Sequence, residues 1–402
     1  MFSGKSIPYK FIFIALLFLI ADFVVENINH RFHLYDFMVY YKAADAIAAG
    51  KQVYGVLFAL GSGYFKYSPF TALLFYLATI LPYYAACVIQ FTLTSFTTIF
   101  ICIFLLEILS VYFFEQPVTS PNLILGLALV SISTHLVREL GLGNVNVILL
   151  SLLCLALFCV LRRKFTLAGV FLGLVIITKP FLIFILLPLA MRRYFKTIFV
   201  TGIVLLICFA LPAFFVGING NVEMHRQWLN AIMLHAEAFM NSNTLDGLIR
   251  DISPINLPDT FQYGILLFML IIYILFIRSN ILYEQKNEKM KTRGLIMEWF
   301  VMLALIPSLF RTDTEHFIMT LPLIMLILIY LFSNKNVWLT IFFIIASLLY
   351  VGNISDLVGR KLSNDLFDWG VLGISNIVLL ALSLYCYYKE NRNLLPFVDK
   401  AT

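Results

Sequence analysis

Long apolar runs, separated by short polar segments, follow one another along most of the chain. The clearest span residues 11–25, 145–161, 197–216, 263–277, 317–332, 337–351 and 371–387. A bilayer core about 30 Å thick is crossed by roughly 20 residues of helix, which is close to the length of these runs. Their Leu, Ile and Phe residues do not alternate with polar residues, so the pattern predicts α-helices and not the strands of a membrane barrel. We therefore expect an all-α polytopic membrane protein with roughly ten crossings, built from about 10–13 transmembrane or re-entrant helices and long extracytoplasmic loops.

Composition supports lipid as the main solvent of the chain. Of the 402 residues, 61% are hydrophobic and 12% are charged, whereas about a quarter of the residues in a soluble domain are charged. Lys5 and Lys10 precede the first apolar run. Because no small-residue cleavage site follows that run, we expect the first helix to be retained. The whole chain, 1–402, is predicted to form one integral membrane domain.

Two apolar stretches do not fit a simple crossing. Residues 70–81 are too few to span a bilayer and end at Pro82, while 166–190 lies between two basic clusters and is interrupted at Lys179-Pro180. Each stretch predicts a short hairpin or a broken helix, which membranes tolerate where the backbone lines a protein cavity. Broken helices close to polar residues indicate a functional site.

All six cysteines fall inside apolar runs, and none has a partner at CxxC spacing. This pattern predicts small hydrophobic side chains and not disulfides or metal ligands. The six are Cys87, Cys102, Cys154, Cys159, Cys208 and Cys386.

The basic residues indicate how the chain is oriented. With a cytoplasmic N-terminus, the inner segments hold 17 of the 28 Lys and Arg residues and the longer outer segments hold ten, as the positive-inside rule requires. The inner segments are the N-terminus, 162–164, 192–196, 278–293, 333–336 and the tail from residue 389; the outer segments are 27–68, 138–144, 217–262, 311–316 and 353–369. Because long loops usually carry function, we expect the working face to be extracytoplasmic. The basic residues are too scattered to form a groove for nucleic acid.

The first outer segment contains a second kind of helix signal. Asp36 resembles an N-cap, helix-forming residues follow it, and Gly50 stands where a C-terminal cap belongs. We therefore predict an interfacial helix over 37–49, with aromatic residues along one side. On this evidence alone two alternatives stay open, in which Asp36 either only caps the helix or has a chemical role.

A series of short motifs occurs in order along the chain. They are Asp36-Phe37-x-Val39-Tyr40-Tyr41-x-Ala43-Ala44, Gly50, Tyr54, Tyr67-x-Pro69, Leu81-Pro82, Gly143-Asn144-Val145-Asn146, Arg162-Arg163, Ala168-Gly169, Leu172-Gly173, Lys179-Pro180 and Arg192-Arg193. Their order resembles glycosyltransferase family 87, in which Gly-Gln-x-Asn is usual, so Asn144 replaces the Gln. The similarity is strongest over 36–193. It is looser at 241–250 and at Glu315-His316, where the family often has paired histidines.

The resemblance implies a membrane glycosyltransferase of the C-type superfamily. Such an enzyme takes sugar from a polyprenyl-phosphate donor and works on the outer face of the membrane. Known members of the family include mannosyltransferases, usually inverting, so the resemblance implies transfer of a hexose, with mannose favoured. The expected partners are the polyprenyl-phosphate sugar donor, a glycan or glycolipid acceptor and membrane lipid. The expected location is the bacterial cytoplasmic (inner) membrane.

Transfer from a lipid phosphate needs a carboxylate to deprotonate the acceptor hydroxyl and cations to stabilise the departing phosphate. The resemblance singles out Asp36 as the base, and its place near a predicted helix N-terminus would keep it ionised. The same motif assigns Tyr40 to the substrate site. Asn144 and Asn146 are candidates for hydrogen bonds to sugar hydroxyls, although capping of a helix end explains them equally well.

Several cations in the outer segments are candidates for the phosphate, and each has the alternative of being an ordinary surface charge. They are Lys66, Arg138, His225, Arg226, Arg250, Arg311 and His316. Lys179 differs because it lies within an apolar stretch, where an ionisable residue is costly and usually functional, although it could snorkel from a helix end. Asp313, Glu315 and His316 lack further spaced ligands, so we expect Glu315 and His316 to bind sugar or phosphate, with no metal and no other cofactor.

Two other classes of protein fit the apolar pattern. A transporter or lipid flippase also has many helices, some of them broken, but it commonly carries internal repeats and buried ionisable residues along several helices. We find no convincing repeat, and the polar groups cluster in the outer segments. A non-catalytic scaffold leaves those groups without a purpose. Enzymatic release of sugar from a polyprenyl-phosphate donor separates the first interpretation from both alternatives.

Overall fold

A computed structural model describes residues 7–60, 63–238, 241–253, 257–258, 260–284, 287–311, 313–352 and 358–392. In these ranges the chain is almost entirely helical. The exception is a two-stranded antiparallel sheet of β1 (Leu57–Ala59) and β2 (Gly63–Tyr64). The predicted all-α fold is confirmed. Lys5, Lys286 and the tail beyond residue 392, whose basic residues were counted for the orientation, lie outside the described residues.

The α-helices follow one another with short connections. The first eleven are α1 (Tyr9–Ile28), α2 (Tyr35–Ala48), α3 (Pro69–Leu74), α4 (Tyr83–Ile108), α5 (Pro121–Val130), α6 (Ser133–Leu142), α7 (Asn146–Leu161), α8 (Phe165–Thr178), α9 (Leu186–Met191), α10 (Phe195–Ala210) and α11 (Ala213–Ala238). The later ones are α12 (Leu245–Ile252), α13 (Phe261–Tyr283), α14 (Glu288–Leu309), α15 (Leu321–Asn334), α16 (Val337–Val351), α17 (Arg360–Asp368) and α18 (Val371–Arg392). Short 3-10 helices occupy Tyr76–Ile80, Pro180–Ile185 and Thr314–Thr320, and one π-helical turn, Leu109–Phe113, extends α4.

Length and apolar composition make the chain a multi-pass membrane protein. In the described residues, six helical segments are long and apolar enough to cross a bilayer, and two bent helix pairs raise the number to as many as eight. The bent pairs are α5 with α6, at 64°, and α10 with α11, at 95°. Four further apolar helical segments, 146–161, 165–178, 180–191 and 337–351, are shorter. The prediction of 10–13 helices included re-entrant ones, and these short and bent elements are the candidates for them.

Both stretches predicted to be broken are broken. α3 is followed at once by the 3-10 helix Tyr76–Ile80, and α8 ends at Thr178 and is followed by the 3-10 helix Pro180–Ile185. Lys179, between these last two elements, has an extended backbone, because a residue that precedes proline is pushed out of the helical region. Pro180 therefore determines where the Lys179 side chain leaves its helix.

Several outer segments predicted as loops contain helices, and in that respect the prediction was wrong. Helix α6 covers most of segment 138–144, α11 and α12 cover much of 217–262, and α17 lies in 353–369. An amphipathic helix has a low mean hydropathy because one face is polar, so it escapes a search for apolar runs. Residues 353–357 lie outside the described part of the chain.

The chain divides into two compact units. The first unit comprises residues 16–101 and 136–240, and the second comprises 1–15, 102–135 and 241–402. In the second unit the most deeply buried elements are α14 and the segment Thr314–Asn334. The prediction of one membrane domain remains a prediction.

The first unit contains a close helix pair, α8 against α10. A Cβ atom at Gly169 would lie 2.7 Å from the Thr197 carbonyl oxygen, and one at Gly173 would lie 2.5 Å from the Val204 side chain. Glycines one turn apart let two backbones approach, which is a common way to pack helices in lipid. This close packing fixes the axis of α8 and therefore the position of Lys179 at its C-terminal end.

The six cysteines are all buried and unbonded. Their prediction as small hydrophobic side chains is confirmed.

Candidate active site

Asp36 belongs to the first turn of α2 and does not cap it. The residue that precedes the helix is Leu34, with φ 45° and no side-chain capping bond. The prediction of Asp36 as the N-cap is therefore wrong, because its own backbone is helical. A carboxylate in the first turn is still favoured by the helix dipole. At the other end, Gly50 follows the C-cap Ala49 with φ 65°, as predicted.

The Asn144 amide connects Asp36 to Tyr40. Asn144 Nδ2 donates to Asp36 Oδ2 at 2.8 Å, and Asn144 Oδ1 accepts from Tyr40 Oη at 3.3 Å. Oδ1 also accepts from the Val145 backbone N–H at 2.7 Å. Because a backbone N–H only donates, this contact fixes which end of the amide is oxygen. The NH2 group of Asn144 must therefore face the carboxylate.

Gly143 allows this turn to lie against the start of α2. Its φ is 68°, and a Cβ atom there would lie 2.8 Å from Phe37 Cβ and 3.0 Å from Leu34 Cβ. Only glycine satisfies both conditions, since an L side chain is strained at positive φ and would also clash. The glycine of the Gly-Asn-Val-Asn motif thus sets the distance between Asn144 and Asp36.

We expect Gly143→Ala to lower the free energy of unfolding by about 2–4 kcal/mol, from left-handed strain and overpacking together. The matched control is Gly141→Ala, two residues earlier in α6, where a Cβ atom meets nothing within 4 Å. Alanine at that helical position should be neutral or stabilise by up to about 1 kcal/mol. Unfolding of the detergent-purified variants in SDS measures both values. Equal stability of the two variants would contradict the packing argument.

Tyr67 extends the cluster on the other side of Tyr40, and its contact with Tyr40 was not predicted from the sequence. The two phenol oxygens are 2.9 Å apart. Burial, reinforced by the neighbouring Tyr67 and Asp36, raises the pKa of Tyr40 well above its ordinary value. Tyr40 therefore stays a neutral donor. The Tyr67 backbone is held by Tyr54 Oη, which donates to its carbonyl at 2.7 Å.

A second polar group in the same unit contains Lys179, Asn146 and Glu139. Lys179 Nζ donates to Asn146 Oδ1 at 2.5 Å, and Asn146 Nδ2 donates to Glu139 Oε2 at 2.8 Å. The Lys179 ammonium also lies 5.7 Å from the centroid of the Tyr67 ring, a cation–π distance. Lys179 is only 4% exposed and its ammonium donates to a buried side chain, so it is not a snorkelling surface residue.

Glu139 is fully buried and was not among the predicted site residues. Its Oε1 atom accepts from the backbone N–H of Val147, in the first turn of α7, at 3.0 Å. The sequence signal for it is an acidic residue just ahead of the Gly-Asn-Val-Asn motif. A surface loop, as predicted for the segment from 138, gives no reason to expect a buried carboxylate there.

The other predicted residues of the first unit have more peripheral positions. Lys66 is half-buried, and its carbonyl accepts from Trp228 Nε1 at 3.1 Å. His225 packs against the Trp228 ring at 6.0 Å, with its Nδ1 atom 2.9 Å from the Asn221 carbonyl. Arg138 and Arg226 are exposed. They fit a role at the rim of a site better than one in its interior.

In the second unit, Asp246 pairs with two of the predicted cations. Arg250 Nε lies 2.9 Å and Arg311 Nη2 lies 2.7 Å from the Asp246 carboxylate. The remaining terminal nitrogens of Arg250 donate to the carbonyls of Leu257 and Pro258 at 2.6 and 2.7 Å. This arrangement supports a structural role for Arg250. Asp246 was not among the predicted site residues.

Glu315 and His316, also in the second unit, are buried in the 3-10 helix that precedes α15. His316 Nδ1 lies 3.0 Å from the Asp313 carbonyl oxygen. Among the residues that the structure describes, no three His, Cys, Asp or Glu side chains are grouped to hold a metal ion.

The structure thus brings together Asp36, Tyr40, Asn144, Asn146 and Lys179. A many-helix membrane protein with a carboxylate and a buried ammonium in one polar cluster fits the class of membrane transferases. A sequence model of glycosyltransferase family 87 matches residues 65–308, more than half of the chain. The chain belongs to glycosyltransferase family 87 and is a membrane glycosyltransferase. No curated protein matches it. The family match includes the second polar group and begins after Asp36.

Proposed function

We propose that this enzyme transfers a hexose, with mannose favoured, from a polyprenyl-phosphate donor to a glycan or lipid acceptor on the extracytoplasmic face. One observation supports the proposal: the same unit contains the Asp36 carboxylate, which Asn144 orients, and the buried Lys179 ammonium. The first group can accept a proton. The second can stabilise the negative charge of a phosphate.

The proposed reaction is a single displacement. Asp36 accepts the proton of the acceptor hydroxyl as that oxygen bonds to the anomeric carbon of the sugar. The bond from this carbon to the phosphate oxygen breaks, its electrons stay on the phosphate, and polyprenyl phosphate leaves beside Lys179. Attack opposite the leaving group inverts the anomeric carbon. Asn144 holds the carboxylate, and the neutral Tyr40 phenol supports Asn144.

The preference for mannose rests on the resemblance to known members of the family. Purified protein and membranes that overexpress it should be given radiolabelled polyprenyl-phosphate mannose, glucose, galactosamine and pentose. Release of polyprenyl phosphate with the label transferred to an acceptor supports the proposal, and the sugar with the highest rate identifies the donor. If none of these donors releases its sugar, the proposed donor class is wrong.

We expect residues 27–68 and 217–262 to face outward and 162–164 to face the cytoplasm of a bacterial inner membrane, because the basic residues are biased accordingly. Exposed positions suited to single-cysteine labelling are Lys51, Asn219 and Arg163. In intact cells an impermeant thiol reagent should label Lys51→Cys and Asn219→Cys and leave Arg163→Cys unlabelled. The reverse pattern would overturn the orientation.

We propose further that transfer needs no divalent ion, since cationic side chains can stabilise the leaving phosphate. Enzyme washed with EDTA should keep its transfer rate within about twofold of the untreated rate. Activity that EDTA abolishes and Mn²⁺ or Mg²⁺ restores would contradict this. Asp313 and Glu315 would then be the first metal ligands to test.

A further inference from the structure

Glu139, Asn146 and Lys179 form a chain from a carboxylate through an amide to an ammonium. The two hydrogen bonds measure 2.8 and 2.5 Å, and all three side chains are buried. We propose that Glu139 is a positioning residue, which fixes the Asn146 amide and thereby aims Lys179 at the phosphate of the lipid donor. This inference rests on the proposed function, because it takes Lys179 as the phosphate-binding cation.

The two hydrogen-bond donors that contact Glu139 determine how it orients the Asn146 amide. Its two oxygens accept from Val147 N and from Asn146 Nδ2, an arrangement that suits a carboxylate, both of whose oxygens accept. With its NH2 group held in this way, Asn146 must turn Oδ1 toward Lys179. Asn146 is also the first residue of α7, so the helix anchors its backbone.

The Lys179 side chain is long and flexible, and a cation inside a protein needs compensation to remain charged. The negative charge of Glu139 polarises the Asn146 amide, which makes the amide oxygen a stronger acceptor for the Lys179 ammonium. On another side the ammonium meets the Tyr67 ring at 5.7 Å. The Tyr67 hydroxyl reaches Tyr40, which reaches Asn144, so the second polar group is linked to the Asp36 carboxylate. A displacement of Lys179 would therefore affect both the group proposed to bind the phosphate and the contacts that orient the Asp36 carboxylate.

Replacing Glu139 with Gln separates positioning from helix stabilisation. The Gln oxygen can still accept from Val147, so the start of α7 keeps its bond. The Gln NH2 group, however, then faces Asn146 and favours the flipped amide, which presents a donor to the ammonium. Lys179 then loses the acceptor that Asn146 provides. A hydrogen bond to a charged group corresponds to roughly 10–100-fold in binding.

Exchanging the carboxylate of residue 139 and the amide of residue 146 should restore the hydrogen bonds that lead to Lys179. In Glu139→Gln/Asn146→Asp, Val147 donates to the Gln oxygen, the Gln NH2 group donates to one Asp oxygen, and Lys179 donates to the other. The number of donors, the number of acceptors and the net charge are those of the natural protein. A purely structural role for Glu139 does not predict this rescue.

The test measures binding of polyprenyl phosphate to the full-length purified protein, together with its thermal stability and its KM and kcat for the labelled donor. We expect Glu139→Gln to remain folded with a lowered thermal stability, because it breaks a buried charge pair, to bind polyprenyl phosphate about 10–100-fold more weakly and to show a raised KM. The double variant should return to within about threefold of the natural affinity. Natural affinity in Glu139→Gln, or a double variant no better than the single one, would overturn the inference.

Two further variants keep the outcomes distinct. Asn146→Ala removes the amide that accepts from Lys179 and leaves Glu139 bonded to Val147, so it should lose affinity even if Glu139→Gln does not fold. Natural affinity in this variant overturns the inference. Lys179→Met tests the proposed function itself. If it binds polyprenyl phosphate normally, the assignment of Lys179 fails and the inference fails with it. If it loses binding while Glu139→Gln retains it, only the inference fails.

Discussion

Replacing Asp36 with Asn is expected to reduce turnover by at least about 100-fold, because a positioned general base contributes on the order of 10²–10⁴-fold in rate. The substitution keeps the size of the side chain and leaves an oxygen that can accept from Asn144. The helix start is not at risk, since Asp36 does not cap α2. The variant should therefore insert, fold and bind donor. Single-turnover transfer rates, measured beside expression level and thermal stability, check this result.

The matched control for this variant is Asp45→Asn. Asp45 lies nine residues further along α2 and is exposed, so its replacement should leave turnover nearly unchanged. Near-natural turnover in Asp36→Asn would show that the base is another group, with Glu315 the first to test. A loss of activity that follows only from misfolding of Asp36→Asn would also refute the assignment.

Replacing Lys179 with Met is expected to reduce turnover by about 10²–10³-fold, the usual cost of removing one group that stabilises developing negative charge. Met keeps much of the apolar stem and removes the ammonium. The change also leaves Glu139 without its cation, and breaking a buried pair costs about 3–5 kcal/mol. The turnover rate should therefore be calculated per molecule of folded enzyme. Lys179→Arg, which keeps the charge, should fold better and recover part of the rate.

Lys164→Met is the control at the other end of the same helix. Lys164 precedes α8 and is exposed, so its removal should alter neither donor binding nor turnover. Equal activity of Lys164→Met and Lys179→Met would remove Lys179 from the site.

Local patterns in the sequence determined much of the fold. The apolar runs became helices because the lipid-facing and core-facing sides of a membrane helix are both apolar. The break at Lys179 was predicted because proline acts on the residue before it, and the break within 70–81 was predicted because that stretch is too short to span a bilayer. Helices α6, α11 and α17 were missed as helices, since their polar faces hide them from a hydropathy profile.

The site could be predicted only in part, for a different physical reason. Asp36, Asn144 and Lys179 were identified one by one, from the family resemblance and from the cost of a charge in an apolar stretch. Tyr67, which contacts Tyr40 and Lys179, and Asp246, which binds Arg311, are recognisable only when segments distant in sequence meet. The bond between Asp246 and Arg311, for example, joins residues 65 positions apart. No local pattern carries that information.

The bond between Asp36 and Asn144 has a consequence for how the enzyme is made. Its two residues are separated by 108 positions. At a synthesis rate of about 5–20 residues per second, the chain needs about 5–20 s to reach Asn144 after Asp36 has left the ribosome. During that interval α2 has neither Gly143 to pack against nor the amide that orients its carboxylate. With the role proposed for Asp36, the enzyme becomes competent only after α6 and α7 have been made, and a nascent chain arrested earlier is inactive.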